Sequence, residues 1–402
     1  MQPPYDVTSQ AFFEVPYPTL RRMREEDPVH WHEPLGVWLV TRYADADAVV
    51  RDERRFRNDR ARDLIRVMMP ALPPEEAAAM AAFWSELVWF RDGPGHARLR
   101  QFMNRGFGAP AMDSLRPSIA ALAREAVRRG RARGRMDVVA ELADPVSINA
   151  ITSLFGIPGS DREQFRSWIF TLFKGAGGGA REGDQARLVK EYTAALLDYM
   201  KRLVEERMSR PGDDTISRFL ADPARPDAHE VTLQCFQLIV AGYRSTTNQI
   251  ASTVLLLARN PDQLARLRAE PARIKGAVEE SLRCEPSVVV TNRRAAEDVA
   301  LGGKTIREGQ LVFPVLLAAN RDPAAFPDPD RFDIGRTGAK HLGFSLGAHY
   351  CVGAPLVRLE IEEALRALLE VPRWELLDER VAYGPYNLSD RGPSALRLGL
   401  SG

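Results

Sequence analysis

The sequence predicts a mainly α-helical protein that carries small β-sheets. Helical periodicity dominates the chain from about residue 113 to residue 222. A further stretch, from about Thr232 to Arg259, is apolar on most sides, and such a helix is expected to run through the centre of a protein. Short alternating or β-branched segments are confined to the start of the chain and to the region after residue 286.

Composition and charge limit the classes of protein that are possible. The 402 residues include 55 Lys and Arg and 54 Asp and Glu, so the formal net charge of +1 indicates neither nucleic-acid binding nor an acidic partner. Cys235, Cys284 and Cys351 are an odd and sparse set, which favours a reducing compartment over a disulfide framework. The N-terminus has no basic or apolar run, and no segment approaches the roughly 20 apolar residues of a membrane span. We therefore expect a cytoplasmic protein without a membrane anchor.

The chain begins with two predicted strands, 29–32 and 37–40, and a predicted helix from residue 43. Residues 57–91 are apolar but poorly periodic outside an Ala-rich piece at 75–82. A long apolar loop of this kind usually has a function, and the alternative is an irregular layer of the core. The aromatic side chains of this stretch, Trp84, Trp89 and Phe90, are candidates for a substrate pocket.

Four helices are expected next, near residues 113–133, 141–155, 161–174 and 184–208. The run Lys174-Gly-Ala-Gly-Gly-Gly179 is too glycine-rich to be helical. We expect it to join two helices of a movable roof, or to be a plain surface loop. Phe173, which precedes this run, is a further candidate for the substrate pocket.

The long predicted helix carries polar residues in its middle, Tyr243-Arg-Ser-Thr-Thr-Asn-Gln249, where a helix buried on all sides would not favour them. One explanation is structural, because hydroxyl groups in helices often donate to the carbonyls of the preceding turn. The other explanation is that these groups face a site.

The stretch 341–354 holds a single thiol, Cys351, among three glycines, with Phe344 and Leu346 between them. Such a backbone turns tightly under a flat apolar group and presents sulfur to it. Amide N–H groups of the loop would favour the thiolate and tune it as an axial ligand, and haem is the cofactor that uses a lone thiolate in this way. A buried cysteine beside a glycine turn is the alternative.

Several further motifs carry charge at regular spacing. His96 and Arg100 lie four residues apart on one face of a basic helix, and Glu280 and Arg283 lie three apart on another. Arg331 follows in a Pro-x-Arg-Phe sequence. Between them, the β-branched run 286–290 predicts a strand, and Arg293 opens an Arg-x-Ala-x-Glu-Asp sequence.

These motifs occur in an order that is typical of one family. His-x-x-x-Arg, the central helix, Glu-x-x-Arg, Arg-x-Ala-x-Glu-Asp, Asn-Arg-Asp-Pro, Pro-x-Arg-Phe and the loop Phe344-Ser-x-Gly-x-His-x-Cys-x-Gly-Ala354 together resemble a soluble bacterial cytochrome P450 over nearly the whole chain. The resemblance implies the cytochrome P450 fold, with haem b between the long central helix and the cysteine loop. It also implies a single domain over residues 1–402, without a fused reductase.

The resemblance assigns roles to individual residues. It implies Cys351 as the axial ligand of the iron, His96, Arg100, Arg293 and His349 as partners of the haem propionates, and Phe344, Ala241 and Gly242 as further haem contacts. It implies Glu280, Arg283 and Arg331 as a buried structural triad. Val288 and Val289 are expected in the substrate pocket, and the final loop near 386–388 could also touch substrate.

The central helix departs from the family pattern where oxygen is protonated. Arg244 stands where an acid is expected and Ser245 where threonine is expected, with Thr246 following. We expect Ser245 or Thr246, with ordered water, to replace the usual relay. A buried arginine needs an anionic partner, which a substrate carboxylate would supply. Peroxide-using family members also carry an arginine at this position, but they follow it with proline rather than with serine.

The expected activity is therefore a haem-thiolate monooxygenase that hydroxylates or epoxidises a natural-product intermediate. The alternatives are an atypical cytochrome P450 that uses a substrate carboxylate or peroxide, oxidative coupling of an aromatic substrate, and a non-catalytic haem-binding accessory protein. Electrons are expected from a separate ferredoxin and ferredoxin reductase, delivered to a monomer. Arg98, Arg105 and Arg358 would form a basic patch for such an acidic carrier, or be ordinary solvated charges.

Overall fold

Helices form most of the described chain. The computed structural model describes residues 5–70, 72–176, 183–224, 226–384 and 389–402, and only the backbone of residues 173–176 and 183–186. The helices are α1 Gln10–Glu14, α2 Tyr17–Glu26, α3 Tyr43–Arg51, α4 Ala61–Met68, α5 Pro74–Glu86, α6 Gly93–Gly106, α7 Ala109–Ala132, α8 Asp144–Leu154, α9 Arg162–Ala176, α10 Gly183–Ser209, α11 Thr215–Leu220, α12 Ala228–Arg259, α13 Pro261–Ala269, α14 Ile274–Cys284, α15 Leu316–Ala319 and α16 Ala354–Leu369.

The strands are short and build small sheets. They are β1 Val29–His32, β2 Val37–Val40, β3 Phe56–Arg57, β4 Arg135–Asp137, β5 Arg293–Ala295, β6 Val299–Leu301, β7 Lys304–Ile306, β8 Leu311–Pro314, β9 Arg373–Leu376 and β10 Arg397–Ser401. The largest sheet has the order β1-β2-β8-β5-β3, and in it only β2 and β8 run parallel. The other sheets have the orders β4-β10-β9 and β6-β7. The expected class, mainly α with small sheets, is confirmed.

Helix α12 is the centre of the helical part. It spans 32 residues, which is a length of about 48 Å. It begins at a capping box, in which Asp227 accepts from the Glu230 amide while the Glu230 side chain returns to the amide of Asp227. It packs against α8, α9, α10, α14 and α16. Gly242 permits the approach of α8, because a Cβ at this position would lie 2.7 Å from Ile151 Cδ1.

Three predictions about secondary structure were wrong. The region 57–91 contains α4 and α5, not an irregular loop. Helix α5 was hard to recognise because only Ala81 of its residues is fully buried, so no apolar stripe marks it. Helix α9 continues through Lys174 to Ala176, whereas residues 177–179 of the glycine run lie outside the described residues. The run 286–290 makes only isolated bridges, because Val288 pairs with Asp390 and Val290 with Val315.

Candidate active site

The cysteine loop is folded tightly against two other parts of the chain. Gly347 has φ of +75°, and a Cβ there would lie 3.0 Å from the carbonyl oxygen of Val50. A Cβ at Gly343 would lie 2.6 Å from the carbonyl oxygen of Leu282. These glycines therefore let the loop pass close to neighbouring backbone, and this close packing holds the thiol of Cys351 in place.

The surroundings of the Cys351 sulfur include groups that raise the pKa of the thiol and groups that lower it. Burial raises the pKa of the thiol, whereas the amides of Gly353 and Ala354 and the guanidinium groups of Arg100 and Arg358 lower it. No group of three or more His, Cys, Asp or Glu side chains in the described ranges could hold a metal ion by itself. The amides of Gly353 and Ala354 thus favour the thiolate form of Cys351.

An internal cavity of about 470 Å³ lies between the cysteine loop and α12. This is within the usual size range of small-molecule sites. One side is lined by Phe344, Cys351 and Gly353, and the opposite side by Ala241, Gly242, Ser245 and Thr246. The structure thus brings the predicted thiol and the predicted hydroxyl groups to facing walls of one cavity.

Most of the predicted substrate-pocket residues line this cavity. Trp84, Trp89, Phe90 and Val288 do so, and the rings of Trp84 and Phe90 stack with centroids 5.4 Å apart. Val289 is buried but does not line the cavity, because alternate residues of an extended backbone point to opposite sides. The side chain of Phe173 and the loop 386–388 lie outside the described residues.

The predicted propionate partners gather at one edge of the cavity, which we call the cationic rim: His96, Arg100, Arg293 and His349. The rings of His96 and His349 stack with centroids 3.9 Å apart. Burial is the main cause that lowers the pKa of His96 to about 4 and that of His349 to about 2, so both rings are neutral at pH 7.

Several polar atoms of the cationic rim are buried without a hydrogen-bond partner in the described part of the chain. They are Nε2 of His96, Nε2 of His349, and Nε and Nη2 of Arg293. Arg100 donates from Nη2 to the carbonyl oxygen of Tyr350 at 2.7 Å. Because buried polar groups normally have partners, this set of unused nitrogens indicates an acceptor that the protein chain itself does not supply.

The hydroxyl groups of α12 are bound to their own helix. Ser245 donates to the carbonyl oxygen of Ala241 at 2.9 Å, and Thr246 donates to that of Gly242 at 3.0 Å. This is the structural explanation that the sequence left open. The oxygens of Ser245 and Thr246 can still act in the cavity, because both residues line it and each oxygen retains lone pairs that can accept a hydrogen bond.

Arg244 does not line the cavity. Its Nε lies 3.7 Å from Oδ2 of Asp390, and its guanidinium carbon lies 5.3 Å from the ring centroid of Phe170. Asp390 is also bound by Nδ2 of Asn248 at 2.7 Å. The anionic partner that a buried arginine requires is therefore a carboxylate of this chain, and the position of Arg244 does not call for a substrate carboxylate.

The expected triad is corrected at its third member. Glu280 forms ion pairs with Arg283 at 2.8 Å and with Arg336 at 3.0 Å. Arg331 contributes only its backbone carbonyl, which accepts from Arg283 and Arg336, and its side chain is exposed. The Pro-x-Arg-Phe sequence identified the correct segment, but the chain turns there, and this turn brings Arg336 rather than Arg331 to Glu280.

The expected basic patch is also corrected. Arg98 pairs with Glu230, Arg105 with Asp222, and Arg358 with Glu279 at 2.6 Å. Each of these charges is opposed by a carboxylate, so the three arginines do not form a field of unopposed positive charge.

Comparisons with known proteins agree with this geometry. Residues 180–382 match the family described as Cytochrome P450. The chain is 37% identical over 384 residues to the cyclomarin C epoxidase CymV of Salinispora arenicola, with 94% of each chain covered. It is 37% identical over 371 residues to the cytochrome P450 monooxygenase PikC of Streptomyces venezuelae, with 90% of this chain and 85% of that protein covered.

The chain belongs to the cytochrome P450 family. Among solved structures, CalO2 matches this cytochrome P450 with a TM-score of 0.89 and 32% identity, covering 99% of this chain and 98% of that one. P450BioI, solved in complex with an acyl carrier protein that carries hexadec-9Z-enoic acid, matches with a TM-score of 0.88 and 30% identity, covering 97% and 100%. The predictions of family, mainly helical fold and monooxygenase activity are thereby confirmed.

The residues around the cavity fit the haem group of this family. Cys351 presents one sulfur to the cavity, and the unused nitrogens of the cationic rim lie at its edge, where two propionates would find donors. In the described part of the chain, no helix combines the length and the apolar character that a membrane crossing needs.

Proposed function

We propose that this cytochrome P450 holds haem b through Cys351 and inserts one oxygen atom of O2 into a natural-product intermediate by hydroxylation or epoxidation. One observation carries the proposal. The thiol of Cys351, the cationic rim with its unpartnered buried nitrogens among the described residues, and two hydroxyl groups line the same cavity from different sides. When bound, haem supplies the reductive activation of O2.

The chain's own residues position the cofactor. In the proposal Cys351 ligates the iron, and the amides of Gly353 and Ala354 stabilise its thiolate. The nitrogens of His96, Arg293 and His349 that have no partner among the described residues would donate to the propionates, and the guanidinium of Arg100 would add a positive charge beside them. Phe344, which lines the cavity together with Cys351, would pack against the ring.

The residues on the opposite wall of the cavity would orient water and the substrate. Ser245 and Thr246 donate to their own helix, so their oxygens are oriented to accept a hydrogen bond from water in the cavity. Trp84 and Phe90 offer stacked apolar rings against which a substrate can be oriented, and apolar walls exclude water. Arg244 stays out of this step because it is bound to Asp390.

The substrate class rests on the relatives. Several act, by their names, on products of secondary metabolism: cyclomarin C in one case and mycinamicin IV in another. We place the substrate of this chain in the same broad class. The mainly apolar and aromatic lining of the cavity suits a sizeable substrate of low polarity.

We also propose that electrons come from a separate ferredoxin and its reductase, and that the chain acts as a monomeric single domain. The protein resides in the cytoplasm, which its three free cysteines favour.

The test begins with carbon monoxide on the dithionite-reduced protein, which should give the red-shifted Soret band of a haem-thiolate. The Cys351→Ser variant should lose that band, and the Cys235→Ser variant should keep it. Turnover of candidate substrates with ferredoxin, ferredoxin reductase and NADPH should exceed turnover with hydrogen peroxide alone. Absence of the band would remove the haem-thiolate assignment, and equal turnover with peroxide would overturn the monooxygenase.

A further inference from the structure

Arg60 is a positively charged residue in the cavity wall, and no sequence motif identified it. It directly precedes α4, it is 7% exposed, and it lines the cavity beside Asn58, Trp89, Phe90 and Asn292. Of the arginines described, Arg100 and Arg293 are the others in the cavity wall, and no Asp or Glu is part of the described wall.

The guanidinium of Arg60 is held in a fixed orientation. Its Nη1 donates to the carbonyl oxygens of Asn58 at 2.7 Å and of Trp89 at 2.9 Å, and its Nε donates to Oδ1 of Asn292. Its guanidinium carbon lies 5.0 Å from the ring centroid of Phe90. Nη2 alone has no hydrogen-bond acceptor among the described residues. The arrangement therefore keeps one edge of a planar donor group free.

No carboxylate of the described chain forms an ion pair with this cation. Arg60 has no acidic group within 4.0 Å among those residues; Asp59 lies against Arg57 at 3.3 Å, and Asp92 accepts two hydrogen bonds from Asn58. Burial and the neighbouring charge of Arg293 lower the pKa of Arg60 to about 9, and the more distant carboxylates of Asp92 and Asp59 partly oppose this, so Arg60 is still charged at pH 7. A buried charge without a partner is costly, which indicates that an anion completes the site.

We propose that Arg60 is a carboxylate-binding residue of the cavity, whose free Nη2 edge receives either a haem propionate or the carboxylate of a substrate. The inference rests on the proposed haem-binding function. The charges favour the propionate, because the described cavity wall contains three guanidinium groups and no carboxylate, and haem b would bring two carboxylates to it.

The first arm of the test measures haem retention. Holoprotein carrying Arg60→Gln is mixed with excess apomyoglobin, and the rate of haem transfer is compared with that of wild type and of Arg62→Gln, an exposed neighbour. If the propionate is the ligand, haem loss from Arg60→Gln is about tenfold faster, and Arg60→Lys is intermediate because it keeps the charge without the fork of donors. The reduction potential should also become more negative, because a positive charge near the haem is lost.

The second arm tests a substrate carboxylate. Binding of dodecanoate and of methyl dodecanoate to the same holoproteins is measured by isothermal titration calorimetry. If a substrate carboxylate is the ligand, Arg60→Gln weakens dodecanoate binding about tenfold and leaves the ester unchanged, while haem loss stays at the wild-type rate.

The outcomes separate the two proposals. If Arg60→Gln and Arg60→Lys match the Arg62→Gln control in haem loss, reduction potential and dodecanoate affinity, Arg60 binds no carboxylate and the inference is overturned. That result leaves the haem-thiolate assignment intact, because the carbon monoxide spectrum of the wild type tests the assignment independently. If Arg60→Gln does not fold, Arg60→Lys decides the question alone.

Discussion

Arg244, which is partly exposed, and the buried carboxylate of Asp390 form an ion pair that links α12 to the segment before β10. Burial raises the pKa of Asp390 to about 6, and the charge of Arg244 and the hydrogen bond from Asn248 partly oppose this. Asp390 therefore changes its charge close to neutral pH. A carboxyl whose pKa is raised on folding stabilises the fold less as pH rises from about 4 to about 6.

We expect Arg244→Gln to destabilise the protein in a pH-dependent way. Without Arg244 the pKa of Asp390 rises above 6, so ionisation of Asp390 at higher pH costs more, and at pH 8 the free energy of unfolding should fall by about 2 kcal/mol. At pH 5 Asp390 is protonated and the loss should be small. Urea unfolding at pH 5 and pH 8 checks this, with Asp390→Asn as the background in which Arg244→Gln should lose its pH dependence. The same loss at both pH values would show that packing, rather than charge, explains the effect.

Glu360 of α16 is a second buried carboxyl, and neither of its oxygens has a hydrogen bond of good geometry in the described structure. Burial raises its pKa well above the usual 4.5, and only Ser147 acts in the opposite direction. The unfolded chain releases this proton above about pH 4.5 while the folded protein keeps it, so the free energy of unfolding should fall as pH rises, by up to about 1.4 kcal/mol per pH unit. Glu360→Gln, which is neutral at every pH, should flatten this dependence in urea unfolding from pH 5 to pH 8. A slope unchanged from wild type would mean that Glu360 is ionised in the folded state.

Among the elements, α12 and α8 depend on a glycine contact. A methyl group at Gly242 would meet Ile151 at 2.7 Å, so we expect Gly242→Ala to cost about 1–3 kcal/mol by forcing the helices apart. Ile151→Val removes the Cδ1 atom that this methyl group would contact, so the double variant should regain most of the lost stability. Gly95→Ala in α6 is the control, since nothing lies within 4 Å of its Cβ position. Chemical unfolding measures all three, and failure of Ile151→Val to rescue would assign the loss to another contact.

Sequence patterns predicted the elements that bury most of their residues and missed one that buries almost none. Most residues of the strands β1 and β2 and of α12 are buried, whereas in α5 only Ala81 is fully buried. The same limit applies to the site. The motifs drew attention to Cys351, which lines the cavity, but no motif marks Arg60, because its hydrogen bonds go to carbonyl groups of separate segments that meet only in the fold. Arg336 was missed because a turn, not a helical spacing, brings it to Glu280.

At the scale of the whole molecule, the cysteine loop is held by parts of the chain that lie far apart in sequence. The amide of Leu342 donates to Asn320 Oδ1 at 2.7 Å, and the amide of Ala348 donates to Glu53. The backbones of Leu282 and Val50 face Gly343 and Gly347. The position of the thiol therefore depends on α3 and the residues after it, on α14 and on the segment 320–336 together.

The network of Glu280, Arg283 and Arg336 joins α14 to that segment. Arg336 is 14% exposed in its side chain, and besides Glu280 it binds the carbonyl oxygens of Pro327, Asp328 and Arg331. Arg283 binds those of Asn320, Pro329 and Arg331. Two guanidinium groups on one carboxylate thus satisfy most of the carbonyls of a turn that has little regular structure of its own.

Arg336 and Arg331 therefore make a matched pair for a test of what orders the loop. Arg336→Gln leaves a buried carboxylate with one cation fewer and three carbonyl oxygens with one donor fewer, so we expect a loss of about 3 kcal/mol in the free energy of unfolding. It should also speed haem loss, because the segment leads into the cysteine loop. Arg331→Gln removes an exposed side chain and should stay within about 0.5 kcal/mol of wild type. Urea unfolding and haem transfer to apomyoglobin compare the two. Equal losses would mean that the turn is held by its backbone and by Arg283 alone, whereas a loss confined to Arg336→Gln would show that the position of the thiol is fixed from outside its own loop.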